Sequence, residues 1–418
     1  MAQFGEKALD LDVVTQALKE HYKPLTVKNM VYKDNPLLAL MPKYEKFGGS
    51  NMPIPVQYGI SNRRSANFGN AKATESATSL ARFVIERVKD YSFASIDGET
   101  IKATESNADA FLKYATMEID GAIQSLSRSL AVGMYRDGTG SIGQSGGTAT
   151  GSVASVTLKA TDDITNFEVG MVIETYADSS GAPSGSVVDT KRVFTVDREN
   201  GILTFCDVTG SVSSSTNITL PGTAGGHLVP RGDLDAKMKG LDAWLPATAP
   251  TSGDSFFGVD RSSDSSRLAG IRFDGSSMPI EEALVSAAVR TAREGGSPEY
   301  CFMNYDQYAN LEKALGSKVV YDKVSSDDAD IGFQALSIIG PKGSIKVIPD
   351  QNCEPDIAYL LQLDTWTLNS LGPAPHILDL DGNRMLRETD ADAYELRVGF
   401  YGNLACNAPG YNCRVALA

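Results

Sequence analysis

The sequence has few of the residues that usually carry acid–base, redox or metal chemistry. Its 418 residues include three histidines, His21, His227 and His376, and five cysteines without a C-x-x-C pair. This scarcity argues against a disulfide framework and a cysteine zinc site, and it disfavours an enzyme. We therefore expect no catalytic residue, no cofactor and no metal site, and we expect reduced, mostly buried thiols.

The sequence also shows no basic surplus, no signal-peptide pattern and no membrane-spanning run. Lys and Arg number 38 against 52 Asp and Glu, a net charge of -14 with a pI near 4.8. A surface of this sign repels nucleic-acid phosphate, which disfavours general DNA neutralisation. The start has no signal-peptide pattern, and no stretch approaches the roughly 18 uninterrupted apolar residues of a membrane helix. These absences predict a soluble protein without a recognisable export signal.

Residues 1–47 are typical of an extended arm. Pro24, Pro36 and Pro42 are spaced so that no long helix can form. The apolar residues between them, Leu37 and Leu38 among them, are too many for a disordered tail. An extended segment cannot bury them by itself, so we expect them to need another surface.

Residues 48–97 predict a long two-stranded hairpin. An apolar run from Met52 to Tyr58 and a return run from Leu80 to Ile96 flank a polar tip. The two prolines of the first run confine it to an edge position, and the return run is rich in aromatic and β-branched residues, including Phe83 and Ile85. Two strands cannot cover both of their faces, so this ribbon should lie across something else.

The tip of this hairpin is basic in an acidic protein. Arg63, Arg64 and Lys72 lie there, a pattern that suits docking onto the carboxylates of a neighbour. A solvated loop tip explains the same residues equally well. The arm, the return run of the hairpin and its basic tip together supply the candidates for contact between subunits. They are Leu37, Leu38, Arg63, Arg64, Lys72, Phe83 and Ile85.

The rest of the chain predicts an α+β protein with an inserted β unit. Apolar residues at three- and four-residue spacing predict a helix over 107–136, roughly 45 Å long. Short β-rich runs between glycine clusters predict a small all-β insertion over 150–226. Helices over 279–294 and 304–315 alternate with short strands in a further lobe, and an alternating strand over 392–402 should close a sheet begun earlier.

Three short motifs invite an enzymatic or metal-binding interpretation. Gly138-x-Gly140-x-x-Gly143 fits a dinucleotide fingerprint, but it follows a helix where that fingerprint follows a strand. Gly143-Gln-Ser145-Gly-Gly147 fits a nucleophile elbow, yet a glycine-rich hinge cannot pre-organise Ser145. Asp379-x-Asp381-Gly-Asn383 has its glycine in the wrong place for a calcium loop. We interpret them as hinges and a turn.

The order of these parts resembles the major capsid protein fold of tailed bacteriophages. The short segments that resemble this family are Gly240-Leu-Asp-Ala-Trp244, the strand–helix junction Phe302 to Tyr308, Leu363-Asp-Thr-Trp-Thr-Leu368, and Tyr394 through Gly402 to Pro409. The resemblance covers nearly the whole chain, and the part order carries it more than any motif. It implies the following division: N-arm 1–47; E-loop 48–97; P domain 98–149, 227–277 and 371–418, with a spine helix 107–136; inserted domain 150–226; A domain 278–370.

The resemblance implies a structural role in a virion. Such a protein binds copies of itself in hexamers and pentamers of an icosahedral shell, which is assembled in the host cytoplasm around double-stranded DNA without sequence-specific binding. The partners it implies are a portal, a decoration protein and a separate scaffolding protein, unless the sequence is a processed form; no membrane is expected. Some members of the family cross-link their subunits through a Lys–Asn bond, but no partner Asn or catalytic Glu is marked in this sequence, so we expect no covalent cross-link. The alternatives are another multi-copy virion part, such as a tail-tube or baseplate component, a β-rich surface adhesin, and an enzyme whose carboxylates converge in one cleft.

Overall fold

The structure is a computed structural model, and it describes most of the chain. The described residues are 35–61, 63–73, 76–97, 108–147, 151–179, 181–209, 214–221, 225–315, 321–326, 329–378, 386–388 and 392–418. The first 34 residues of the predicted arm and the Asp379-x-Asp381 motif lie outside them. No helix in the described part of the chain is long and apolar enough to cross a membrane.

The α-helices match the pattern of the sequence closely. The helix predicted over 107–136 is present as Ala108–Tyr135, and the two lobe helices are Ile280–Arg293 and Tyr305–Leu315. In the described part of the chain, three shorter helices are Pro36–Leu40, Phe68–Ala73 and Leu241–Trp244. The 3₁₀ segments are Thr161–Asn166, Arg261–Asp264, Leu363–Thr365 and Pro409–Tyr411.

The helix Ala108–Tyr135, called the long helix below, packs through one stripe. Ala122, Leu126, Leu130 and Met134 recur every four residues and are all buried. This spacing places them on one face of an α-helix, and they join the main hydrophobic core with buried residues of the sheet beneath. The long helix therefore serves as one layer of the body of the molecule.

A six-stranded central sheet forms the layer beneath the long helix. Its longest pair is antiparallel and runs from Ala393 opposite Asp97 to Gly402 opposite Val88. The C-terminal alternating strand thus closes a sheet begun near residue 88, as predicted. The strands of the central sheet are Lys43–Tyr44, Val88–Asp97, Trp366–Ser370, His376–Ile377, Leu386–Arg387 and Ala393–Cys406.

The predicted return strand from Leu80 to Ile96 is two strands in different sheets. Leu80–Glu86 pairs with Asn51–Gln57 in the hairpin, whereas Val88–Asp97 pairs in the central sheet. The break falls at Arg87, which lies between the two strands and whose guanidinium donates to the carbonyl of Phe47 at 2.9 Å. Successive side chains of a strand point to opposite faces, and one residue between two strands changes which face each position takes. The buried side chains are accordingly Phe83 and Ile85 before Arg87, and Ala94 and Ile96 after it, where the chain enters the other sheet.

A seven-stranded sheet forms the core of a separate lobe. Its strand order places Cys413–Ala416 between Ile271–Asp274 and Ile357–Leu361. The predicted division of the chain began the lobe at residue 278 and ended it at 370, so it did not include the strands Ile271–Asp274 and Cys413–Ala416, which pair within this sheet. The remaining strands of this lobe are Tyr300–Met303, Tyr321–Ser326, Ala329–Gly340 and Gly343–Pro349.

The predicted β insertion is present as a six-stranded antiparallel sheet with its own core. Phe167, Ile173, Leu203 and Phe205 are fully buried within it. The sheet extends on both sides of the predicted limits of 150–226. Its strands are Gly143–Gln144, Ser155–Thr157, Val172–Ser179, Ala182–Asp197, Ile202–Cys206 and His227–Pro230, and a two-stranded pair, Gly151–Val153 with Ile218–Leu220, lies beside it.

Lys237 anchors the exit of this inserted unit to the body. Its ammonium lies 2.9 Å from Asp90 Oδ1, 3.1 Å from Asp233 Oδ2 and 3.1 Å from the hydroxyl of Ser129 on the long helix. The Ser129 hydroxyl in turn donates to Asp90 Oδ2 at 2.6 Å. The neighbouring carboxylates raise the pKa of Lys237 against the opposing effect of its burial, so the cation is retained.

We expect Lys237→Met to destabilise the protein by about 2–3 kcal/mol, because it leaves two carboxylates facing each other without a cation. Thermal unfolding followed by circular dichroism measures the loss, and Lys313→Met on an exposed helix face serves as the control. Equal melting temperatures for the two variants would show that the network does not hold the inserted unit.

Candidate functional site

The base of the hairpin is covered by its own chain. The ring centroid of Phe83 lies 5.0 Å from that of Trp244 and 6.3 Å from that of Phe256, and Ile85 is fully buried beside it. The amide of Val84 donates to the carbonyl of Phe257 at 2.9 Å. The expectation that Phe83 and Ile85 lack cover within the subunit is therefore corrected, because one face of the hairpin packs on the body.

The described end of the arm is covered in the same way. Pro36 begins a short helix that buries Leu37 and Leu38, which are 1% and 8% exposed, in the main core. Asp350 fixes this helix from beneath: its carboxylate accepts from the amide of Leu37 at 3.5 Å and from the hydroxyl of Tyr135 at 2.8 Å. The surface that these two leucines need is the core of the same chain, so the expectation that they contact another subunit is corrected.

The tip of the hairpin, residues 58–80, differs from the base because its large apolar side chains are exposed. Ile60 is 83% exposed, Phe68 is 85% exposed and Leu80 is 67% exposed. The helix Phe68–Ala73 at the tip buries no side chain. Large apolar side chains gathered on an uncovered projection are a common property of protein interaction sites.

The three basic residues of the prediction lie on the same tip. Arg63, Arg64 and Lys72 are all exposed, and Lys72 follows Phe68 by one helical turn. Among the described residues, neither Arg64 nor Lys72 has an ion-pair partner. The tip thus presents apolar and cationic groups together, and a partner surface that has both apolar and acidic groups complements them.

A second uncovered apolar group lies on the outer face of the central sheet. Tyr91 and Phe93 are 53% and 67% exposed, and both alternate with residues that face the long helix. The ring of Tyr91 meets that of Tyr401 edge-on at 5.7 Å. The side chain of Arg397, opposite Phe93 in the register, is also exposed. This face has the composition of a contact surface as well.

Three parts of the molecule meet at Arg136, at the end of the long helix. Its guanidinium donates to Asp163 of the inserted unit and, at 2.7 Å, to Glu354 of the lobe. Asp242 lies beside them, 3.4 Å from Arg414 of the last strand. We call these five residues the junction. It adjoins a cavity of about 640 Å³, whose wall includes Arg136, Asp163, Asp242 and Glu354.

The junction holds more carboxylates than cations. Burial, followed by the charge of Glu354, raises the pKa of Asp242 to about 7. Burial also raises the pKa of Asp163, although Arg136 opposes that effect. This cluster could not be predicted from the sequence, because its members come from five separate segments.

The serine of the nucleophile-elbow motif is covered by the inserted unit. Ser145 is 2% exposed and lies within the inserted sheet, where its amide donates to the carbonyl of Gly226. All five cysteines are free and buried, as predicted. No group of three His, Cys, Asp or Glu side chains in the described part of the chain is placed to hold a metal ion.

One arrangement that sequence reasoning missed is Ser141–His227–Asp178. The hydroxyl of Ser141 lies 2.9 Å from Nδ1 of His227, and Nε2 lies 3.2 Å from Asp178 Oδ1. Acyl transfer needs hydrogen-bond donors for a developing oxyanion, whereas the adjoining cavity wall is rich in carboxylates. We interpret the trio as a link that fixes the first segment of the inserted unit to its closing strand.

Comparison with known proteins gives the fold of the whole chain. Residues 223–390 match a family model described as SU10 major capsid protein. A chain of the Cyanophage A-1(L) capsid asymmetric unit matches 96% of this chain and 97% of its own length, with 11% identity and a TM-score of 0.52. The chain has the phage major capsid protein fold. It therefore belongs to the α+β class, as predicted.

Other capsid chains are similar over their full lengths. A chain of the capsid of a native GTA particle covers 98% of this chain and 100% of its own, with 10% identity and a TM-score of 0.47. A chain of the capsid of Myoviridae Phage XM1 covers 99% and 100%, with 9% identity and a TM-score of 0.44. No curated protein sequence matches the chain.

In this capsid-fold chain the predicted contact residues separate into two groups. Leu37, Leu38, Phe83 and Ile85 are buried inside the subunit. Arg63, Arg64 and Lys72 are exposed on the tip, together with Ile60 and Phe68, which the sequence reasoning did not single out. Their position between the two apolar runs was visible in the sequence, but their lack of cover was not. Of the predicted contact residues, those available to another molecule therefore lie on the tip and not at the base of the hairpin.

Proposed function

We propose that the chain is the repeating structural subunit of an icosahedral phage capsid, and that it assembles as hexamers and pentamers around double-stranded DNA. The family match and the fold support a capsid subunit, and not a tail component. The observation that carries the assembly mechanism is the uncovered apolar and basic tip of the hairpin. We assign the parts accordingly: the hairpin is the E-loop, the central sheet and long helix form the P domain, and the seven-stranded lobe is the A domain.

The tip explains how copies would join. Arg64 and Lys72 project from a chain of net charge -14, so the average surface of a neighbour attracts them. Phe68 and Ile60 then supply the apolar area of the contact. Once one contact forms in a ring, the next becomes intramolecular, so modest contacts add up to a stable closed assembly.

The acidic charge also suits the enclosure of DNA. An inner wall that repels phosphate leaves the packaged duplex mobile, whereas a basic wall would bind it. We propose a separate scaffolding protein and a portal as further partners, assembly in the host cytoplasm, and no enzymatic activity. The inserted sheet is a self-contained unit with its own core, and we place it on the outer face, where it stabilises the shell or binds a decoration protein.

Negative-stain microscopy of the expressed full-length chain tests this function. Rings or closed shells are expected, because the contacts that form them are made between copies of the chain. Hollow tubes would indicate a tail component instead. Dispersed monomers at high concentration, with the expected scaffolding protein also supplied, would contradict a capsid role.

A further inference from the structure

We propose that protonation of the junction controls how stably the inserted unit is held against the lobe. The inference concerns the single subunit and does not depend on the proposed function. It begins with the position of Arg136, whose guanidinium bonds the inserted unit through Asp163 and the lobe through Glu354 at the same time. Any change in the charge balance around Arg136 therefore acts on both contacts.

The charges of the junction do not balance. Arg136 and Arg414 contribute two positive charges, and Asp163, Asp242 and Glu354 contribute three negative charges when all are ionised. All five side chains are at least about three-quarters buried, so water screens the excess weakly. The simplest compensation for one excess negative charge is one bound proton.

Asp242 is the group that takes this proton. Its Oδ1 atom is fully buried and accepts no hydrogen bond in the described structure, although Arg414 lies 3.4 Å away. Glu354 and Asp137 repel its charge, and Arg414 and Arg136 attract it. Asp163 and Glu354, in contrast, each accept directly from Arg136. Protonation of Asp242 therefore removes repulsion without removing either bond that joins the units.

Other titratable groups face the same cavity and are included in the test. Asp162 lies next to Asp163, and burial and then Asp306 raise its pKa. The remaining groups on the wall are Asp137, Lys159, His227, Asp306 and Asp356. The hydroxyl of Tyr359, packed near Asp242 and Arg414, is kept neutral because burial raises its pKa well above the usual range. Of these groups, His227 carries an imidazole, so a variant at this position is included in the test.

The direction of the effect follows from linkage. Asp242 has a raised pKa in the closed junction and an ordinary one, about 3.9, once the junction opens. Protonated Asp242 stabilises the closed junction. This stabilisation is complete below about pH 3.9 and is lost as the pH rises through about 7. Between pH 6 and pH 8 the equilibrium constant for opening should therefore increase about tenfold.

Hydrogen exchange of the full-length free subunit at pH 6, 7 and 8 measures this opening, after correction for the intrinsic pH dependence of exchange. We expect about tenfold less protection at pH 8 than at pH 6 in the segments Thr161–Asn166 and 353–357. Asp242→Asn should make the profile flat. Glu282→Gln, on the exposed face of a lobe helix, should keep the wild-type profile.

Two further variants keep the proposal falsifiable if Asp242→Asn does not fold. Asp242→Glu retains a titrating carboxyl and should keep the pH dependence. His227→Gln removes the imidazole from the cavity wall and should also keep it. A wild-type change below twofold, or a pH dependence that survives Asp242→Asn or disappears in His227→Gln, would overturn the proposal.

Discussion

Charge reversal at the hairpin tip, by Arg64→Glu and Lys72→Glu together, is expected to leave the subunit folded and to abolish its assembly into particles. Both side chains are exposed, so their replacement removes no packing within the subunit. Each contact between copies then places like charges against an acidic neighbour, which costs several kcal/mol. Because every contact in a ring carries the same change, the loss is repeated around the ring.

Sedimentation and negative-stain microscopy measure this loss of particles, and circular dichroism confirms that the variant is folded. Arg293→Glu with Lys313→Glu is the matched control, since it changes the net charge by the same amount at exposed sites away from the tip. Normal particles from the tip variant, or an equal loss of particles from the control, would contradict the role given to the tip.

Phe83→Ala should destabilise the subunit by about 3–5 kcal/mol, the largest effect that we expect on folding. The side chain is fully buried, and its ring contacts those of Trp244 and Phe256. Truncation leaves a cavity between the hairpin base and the body, so the hairpin loses its attachment as well as its packing. Urea denaturation followed by tryptophan fluorescence reports the loss directly, because Trp244 lines the cavity.

Phe93→Ala is the control for this substitution, because Phe93 is 67% exposed and lies on the outer face of the central sheet. We expect it to change stability by less than about 0.5 kcal/mol. If both phenylalanine variants unfolded at the same urea concentration, the hairpin base would not be the packed element that the structure shows.

The local elements of the fold could be predicted because their signals are local. The four-residue stripe that ends at Met134 predicts the long helix, and the alternation around Leu396 predicts the closing strand. Which sheet each strand joins could not be predicted in the same way. The change of sheet at Arg87 depends on the parity of buried residues, and the last strand, Cys413–Ala416, joins the lobe through partners more than 50 and 140 residues earlier.

The candidate site shows the same division between local and distant information. The basic tip is visible in the sequence, since Arg63, Arg64 and Lys72 lie between two apolar runs. The cover of Phe83 is not visible, because Trp244 lies 161 positions away, and nothing in either segment specifies the contact. Apolar excess in a segment therefore indicates that a partner surface exists. It does not indicate whether that surface belongs to the same chain.

The central claim is that other copies of the chain cover the hairpin tip, and the rate of thiol labelling at the tip tests it most directly. All five native cysteines are buried, so Ala73→Cys introduces an accessible thiol at the exposed end of the tip helix, and Ser186→Cys provides the matching control on the inserted unit. We predict that assembly into particles slows labelling at position 73 by at least about tenfold and leaves position 186 nearly unchanged. Equal labelling at position 73 in free subunits and in particles would contradict the account.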